Sequence, residues 1–303
     1  MNTENVKGFK DYTGEDAEKR AEIKKILIDS FERYGFEPAE TSILEYEEFM
    51  KGQNQNDEAV SDIFKLKDKG ERSLALRYEF TFQLKRIAKN KKLPYRRYQI
   101  GEVFRNEPVS ANRFRQFVQC DVDVIGSNVK DEAEILAMTS KILQSLGIKF
   151  VIYINNRKLL NEILEQYEIL DNKDKEEIIR IIDKIDKLPE LEIKKELKKF
   201  KAEKILNVFK NKESFFEKFQ GYKEIKELKE YCKYFGVKNI EFKSSLARGL
   251  SYYNGSVFEI KTKEMRESIS AGGSYLIEGV QSTGISFGLD RLSVLAKLGV
   301  NKD

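Results

Sequence analysis

The sequence predicts an α+β fold: a largely antiparallel sheet flanked by helices and interrupted by a helical insertion. Three observations lead there. Short alternating runs recur as hairpins, first in "DIFKLKD" with "SLALRYEFT" and again in "RYQIGEVFRNEPVSANRFRQFVQCDVDV", from Arg97 to Val124. Few strand–helix–strand units separate them, which disfavours a parallel sheet. Between about Arg157 and Val237 the composition shifts to Lys, Glu, Ile and Leu with helical periodicity and few turn signals beyond Pro189 and Gly221. The chain of 303 residues therefore divides into one core, residues 1–156 and 238–303, and an inserted helical domain, residues 157–237.

The elements follow in order. "GEDAEKRAEIKKILIDSFERY" places Ile23, Ile26, Leu27 and Phe31 on one helix face, and Gly35 stops the helix. "FEPAETSILEY" reads as a strand, then the first hairpin turns at Lys69 and Gly70. Thr81 to Asn90 reads as a helix, and the second hairpin follows, turning through Pro108, Ser110 and Asn112. "KDEAEILAMTSKILQSLG" is a helix and "KFVIYINN" a strand. Beyond the insertion, "NIEFKSSLARGLSYYNGSVFEIKT" reads as a glycine-interrupted strand pair, and "SISAGGSYLI" and "TGISFGLDRLSVLAKLG" as strands leading into an amphipathic helix.

Composition removes whole mechanisms. The chain has no histidine, which excludes imidazole general bases, Ser-His-Asp triads and histidine-ligated zinc. Two distant cysteines, Cys120 and Cys232, form neither a thiolate zinc site nor a disulfide framework, and fit a reducing cytoplasm. No run approaches the ~20 apolar residues of a membrane span, and the N-terminus lacks a signal-peptide core. A net charge of +4 neither demands nor excludes a nucleic-acid partner. The remaining chemistry belongs to arginines, carboxylates, backbone groups and magnesium.

Side chains at alternate strand positions share a face. Arg113, Arg115 and Phe117 are thereby aligned with Gln119, Asp121 and Asp123, and Arg105 with Glu107 on the partner strand. Guanidinium groups grip phosphate oxygens in pairs, and a phenylalanine face stacks on a base for ~1–3 kcal/mol. The same pattern also fits a solvated sheet face laced with ion pairs worth ~0–1 kcal/mol each. "LARGLSYYNGSVFEI" repeats the theme with Arg248, Tyr252 and Tyr253, each of which has an ordinary core or rim role as its alternative. Arg291, in "GISFGLDRL", either pairs with an acid or aims at a phosphate from a first helical turn.

These stretches carry a resemblance. "FRNE", "NRFRQF" and "QCDVD" resemble motif 2 of class II aminoacyl-tRNA synthetases, and "GISFGLDRL" resembles motif 3. "LARGLSYYNGSVFE", "INNRKLL" and "RYEFT" with "RYQIG" are similar to the histidyl-tRNA synthetase family of the archaeal and eukaryotic type, and the similarity runs from "GFKDYTGED" to Leu292. It implies an antiparallel catalytic core that activates histidine with ATP and Mg2+ to histidyl-adenylate, transfers it to the acceptor end of tRNA(His), and works as a homodimer in the cytoplasm.

By the same resemblance, Arg105 binds the α-phosphate, Glu107 sits by the adenine, Arg113 meets the terminal phosphates and Phe117 stacks on the base. Arg291 covers the other adenine face and the γ-phosphate. Glu79 and Thr81 hold the α-ammonium of histidine, and Gln119 lies near its carboxylate. Asp123 and Tyr253, beside Tyr252, read the imidazole. Arg248 is the catalytic arginine at the α-phosphate, with Arg105 as its companion. In-line attack by a carboxylate needs no general base, because the nucleophile is already ionised; it needs charge stabilised and two anions brought together.

The sequence departs from the pattern at four places. Ser42 replaces the motif 1 proline, Ser251 stands where many members have aspartate, and Ser274 and Leu276 stand where the pattern has arginine and aspartate. The family also continues into an anticodon-binding domain, whereas this chain stops at Asp303. The expectation is therefore either a shortened synthetase or a paralogue such as the regulatory subunit of ATP phosphoribosyltransferase, with the retained arginines and histidine contacts favouring catalysis.

Overall fold

The computed structural model describes residues 2–52, 60, 62–248 and 252–298. Its centre is an eight-stranded sheet. Strands β1 (Glu37–Pro38), β5 (Tyr95–Phe104), β6 (Gln116–Ile125), β7 (Val151–Asn156), β8 (Ile240–Phe242), β9 (Tyr253–Thr262), β10 (Met265–Ile277) and β11 (Val280–Gly288) lie in the order β1-β5-β6-β11-β10-β9-β7-β8. Only the edge pairs β1·β5 and β7·β8 are parallel. A separate three-stranded sheet holds β2 (Leu44–Tyr46), β3 (Lys65–Lys67) and β4 (Ser73–Leu76) in the order β2-β4-β3.

Strand β6 shows how the sequence sets the layers. Val118, Cys120, Val122 and Val124 point to one face and are 0–6% exposed. Burying each such side chain stabilises by about 1.5–3 kcal/mol. Phe117, Gln119, Asp121 and Asp123 take the other face. A register slip of one residue would drive an amide and two carboxylates into the core, so the hydrophobic alternation fixes which side is polar.

Helices cover the apolar face. Helix α1 (Gly14–Arg33) buries Ile23, Leu27 and Phe31, spaced by four, against the core. Helix α4 (Val129–Ser145) begins in a capping box in which Asn128 and Asp131 satisfy each other's backbone N–H groups. The shorter helices α2 (Glu47–Lys51) and α3 (Thr81–Ile87) accompany the small sheet and the strand that follows it. Helix α9 (Leu289–Leu295) leaves β11 and anchors Leu289, Leu292 and Leu295 in the same core.

The chain between Arg157 and Val237 is helical, as its periodicity predicts. Helices α5 (Arg157–Gln166), α6 (Asn172–Ile182) and α7 (Glu190–Lys198), with the 3-10 turn Glu203–Lys210, share a core of their own around Ile178, Ile179, Ile193 and Leu197. Helix α8 (Tyr222–Tyr234) instead packs its Ile225, Leu228 and Cys232 into the central core beside α4. Among the described residues, no helix is long and apolar enough to cross a membrane.

Two expectations change. "FEPAETSILEY" is not one strand: β1 ends at Pro38 and joins the main sheet, while β2 begins at Leu44 and joins the small one. Proline has no N–H to give a ladder, and here it sits on a sheet edge. "NIEFKSS" and "YYNGSVFEIKT" are not paired with each other; β7 lies between β8 and β9 and bonds to both. The residues joining β8 to β9 include Gly249 and Ser251, which lie outside the described residues.

Candidate active site

The polar face of the sheet opens into a cavity of about 600 Å³. All twelve residues to which the resemblance gives a site role line it, together with Asp121. They come from separate pieces of chain that the topology brings together.

One end is rich in guanidinium groups. Arg105 leaves the end of β5, where its Nε donates to the Tyr78 carbonyl at 3.1 Å and its Nη2 to Gln119 Oε1 at 3.0 Å. Its guanidinium stands 5.2 Å from the centre of the Phe117 ring. Arg113, in the turn between β5 and β6, pairs with Glu107. Arg291 lies in the first turn of α9 and donates from Nη1 to the Ser268 carbonyl on β10 at 2.7 Å. Burial pushes its pKa down, with Arg105 and Arg113 adding to the effect. Four arginines, counting Arg248, thus border one cavity. Arg248 lies 3.6 Å from Glu259 and is hydrogen-bonded to Tyr253.

Arg115 is the exception to the face argument. Strand β6 begins only at Gln116, so alternation does not extend back through the turn. Arg115 turns away from the cavity, donating its Nε to the Glu107 carbonyl at 3.2 Å while its backbone N–H donates to Gly8.

The opposite end is acidic and aromatic. Glu79 and Thr81 lie at the start of α3, and Tyr252 is within hydrogen-bonding reach of Thr81. The rings of Tyr252 and Tyr253 are 4.8 Å apart, and Tyr275 meets Tyr252 edge-on at 5.6 Å. Asp123 accepts a hydrogen bond from the Tyr275 hydroxyl and pairs with Arg97 Nη2 at 2.6 Å. Burial raises the Asp123 pKa, and Arg97 opposes that rise. Gln119 sits midway with a committed amide: its Oε1 accepts from Arg105, and its Nε2 donates to Ser286 and Asp121.

Glycines let the strands close over this end. A Cβ on Gly284 would collide with Asp123, and one on Gly273 would collide with the Tyr253 ring and the Ser256 carbonyl. A Cβ on Gly272 would meet the Gly284 carbonyl and the Phe258 ring, so both members of the glycine pair in "SAGGSY" are needed for the close approach. The serine that follows, Ser274, points to the helical side, where its hydroxyl donates to the buried Glu132. Burial raises the Glu132 pKa to about 7.

Sequence reasoning left Tyr275, Arg97 and Asp183 unassigned. Arg97 is opposite Asp123 in the β5·β6 register, so the hairpin turn, once its length is known, points to it. Tyr275 follows Gly273 by one alternation on the face that lines the cavity. Asp183, which caps α6 of the helical segment, also lines the cavity, and no local pattern marks it.

Comparison with known proteins agrees with this geometry. The sequence matches the family described as Histidyl-tRNA synthetase over residues 8–292. Histidine–tRNA ligase 1 of Bacillus cereus is 37% identical over 322 residues, covering 96% of this chain and 76% of that protein. The crystal structure of histidyl-tRNA synthetase from Nostoc sp. PCC 7120 superposes with a TM-score of 0.81 at 27% identity, covering 96% of this chain and 74% of that one. A structure from Bacillus halodurans described as an ATP phosphoribosyltransferase regulatory subunit/histidyl-tRNA synthetase shares the fold, with a TM-score of 0.84 at 20% identity, covering 98% of this chain and 84% of that one. With matched residues spanning both ends of the cavity and nearly all of the sequence, the chain belongs to the histidyl-tRNA synthetase family.

Proposed function

We propose that this cavity activates histidine with ATP and passes the histidyl group to tRNA, the activity of a histidine–tRNA ligase. What supports the reading is the division of one cavity into two chemistries: Arg105, Arg113, Arg291 and a phenyl ring at one end, buried carboxylates and tyrosine hydroxyls at the other, with Arg248 beside Tyr253. A triphosphate suits the first end and an imidazole-bearing amino acid the second.

The residues divide the work in this reading. Phe117 and Arg291 sandwich adenine, with Glu107 at its edge, and Arg113 takes the terminal phosphates. Arg105 and Arg248 flank the α-phosphate. A histidine carboxylate oxygen attacks the α-phosphorus, forming the mixed anhydride, while the bond to the β-phosphate oxygen breaks and pyrophosphate leaves. Arg248, held beside Tyr253 and Glu259, neutralises charge as it builds on the α-phosphoryl oxygens. Asp123 and Tyr253 meet the imidazole nitrogens, with the Tyr275 hydroxyl holding Asp123. Glu79 and Thr81 meet the α-ammonium. Gln119 fixes the side chain of Arg105.

Among the described residues, no three acids converge as a metal cage. Magnesium would enter with the triphosphate, in keeping with its preference for phosphate and water ligands. It supplies further charge neutralisation there.

The reading also places the chain in the cytoplasm and as a homodimer with a second copy on the small sheet. The register puts Leu44, Tyr46, Leu66, Leu74 and Leu76 on one face of that sheet. Leu44, Tyr46 and Leu66 are 42–52% exposed, and apolar faces of this kind mark interfaces. A regulatory paralogue without catalysis is less favoured, because it would have no use for four arginines around one cavity. Incubation with ATP, labelled histidine and tRNA should yield acid-precipitable histidyl-tRNA; absence of product with tRNA(His) transcripts would count against the transfer step.

A further inference from the structure

Two carboxylates stand two residues apart on the cavity floor, and their surroundings differ. Asp123 is neutralised by Arg97 at 2.6 Å and by the Tyr275 hydroxyl. Asp121 is 6% exposed and lines the same cavity, yet its contacts are neutral: Gln119 Nε2 at 3.2 and 3.3 Å, with the Ser286 hydroxyl beside it on β11. Among the described residues, no lysine or arginine makes an ion pair with it. A buried carboxylate without a cation is costly, and a cavity-facing one is best compensated by a cationic ligand.

The position of Asp121 says which cation. Along β6 the floor residues run Phe117, Gln119, Asp121 and Asp123, successive members being roughly 7 Å apart. Asp121 is one step from the acid that meets the imidazole and one step, on the other side, from the amide that ties down Arg105. A histidine laid along this row, ring at Asp123 and carboxylate toward Arg105, brings its α-nitrogen over Asp121. We propose that Asp121 anchors the α-ammonium of bound histidine from the cavity floor, opposite Glu79 and Thr81. This rests on the reading that the cavity binds histidine with its ring at Asp123.

The charge state agrees. Burial and the neighbouring Asp123 raise the Asp121 pKa to about 6, opposed by Arg97, Ser286 and Gln119. The groups facing it are Arg97 and Gln99 from β5, Gln119 and Asp123 from β6, and Ser286 from β11. Glu79, Arg248, Tyr252 and Tyr253 line the same cavity. A bound ammonium would hold the carboxylate ionised.

The test compares histidine with imidazole-lactic acid, which keeps the ring and carboxylate but carries a hydroxyl in place of the ammonium. Calorimetric binding to the full chain should show Asp121→Asn weakening histidine about 10- to 100-fold while leaving the analogue nearly unchanged. Equal losses for both ligands would assign Asp121 a positioning role and overturn the proposal. Unchanged histidine binding would overturn it too. A native chain that binds neither ligand overturns the parent reading along with this one; native binding with an indifferent variant overturns this one alone. Should the variant not fold, the native chain suffices. Its preference for histidine over the analogue, after correction for each ligand's own measured ring pKa, should collapse as pH falls from 8 to 5 through about 6. A flat preference would sink the assignment.

Discussion

Arg97 Nη2 lies 2.6 Å from Asp123, and the two face each other across β5 and β6 with side chains 0% and 6% exposed. The pair underlies the histidine end of the cavity: burial raises the Asp123 pKa, and the guanidinium opposes that rise. Removing only the arginine leaves an uncompensated buried charge. Arg97→Met should therefore destabilise by about 3–5 kcal/mol in urea unfolding at neutral pH. The double substitution Arg97→Met with Asp123→Asn should recover a large part of that loss. A single-substitution cost below about 1 kcal/mol would show that the pair does not hold the floor together.

Tyr275 supplies the hydroxyl that Asp123 accepts. Tyr275→Phe keeps the ring that packs against Tyr252 and removes only that donor. Losing one charge-assisted hydrogen bond is worth about 1.5–3 kcal/mol, so the histidine KM should rise about tenfold or more. The ATP KM should not move, because Tyr275 is held at the Asp123 end, away from Arg105, Arg113 and Arg291. A matching rise for ATP would place Tyr275 in overall packing instead.

Arg248 is 26% exposed, makes a long ion pair with Glu259 and shares a hydrogen bond with Tyr253. Arg248→Ala should lower the rate of adenylate formation about 10²–10³-fold, the scale of removing one preorganised charge donor, with an unchanged thermal midpoint. A rate within a few-fold of native would remove Arg248 from the reaction.

The fold was legible where periodicity was strong. The β6 alternation of valine and cysteine with polar residues announces both the core and the site face, and α1 and α4 follow from apolar residues spaced by three and four. The site was legible where chemistry is local: Arg105, Arg113, Phe117, Gln119 and Asp123 lie in one hairpin. Arg115 was misplaced because alternation was carried through a turn. Pairings that depend on which strands become neighbours were not legible. β7 inserts between β8 and β9, and Tyr275 reaches Asp123 across β11, a relationship no local stretch encodes. Asp183 reaches the cavity only through the packing of the helical segment.

Glu132 gives a pH prediction. It is buried on the helical side of the sheet with a serine, Ser274, where the family pattern has arginine, and burial raises its pKa from 4.5 to about 7. Between those values the folded protein keeps a proton that the unfolded chain releases. Stability therefore falls as pH rises from about 4.5 to about 7, and the full cost, about 3 kcal/mol, is present above that. Glu132→Gln should stabilise by about 1–3 kcal/mol at pH 8 and change little at pH 5. Urea midpoints at the two pH values check this; a variant no more stable than native at pH 8 would mean that Glu132 is not charged in the buried site.

The central claim is that one cavity holds the triphosphate of ATP and the carboxylate of histidine in reacting geometry. Histidine-dependent exchange of labelled pyrophosphate into ATP measures that step alone, without tRNA. Exchange that requires histidine, is not supported by the other amino acids, and disappears in Arg248→Ala is the predicted result. A folded chain that binds histidine and ATP yet exchanges no pyrophosphate would contradict it.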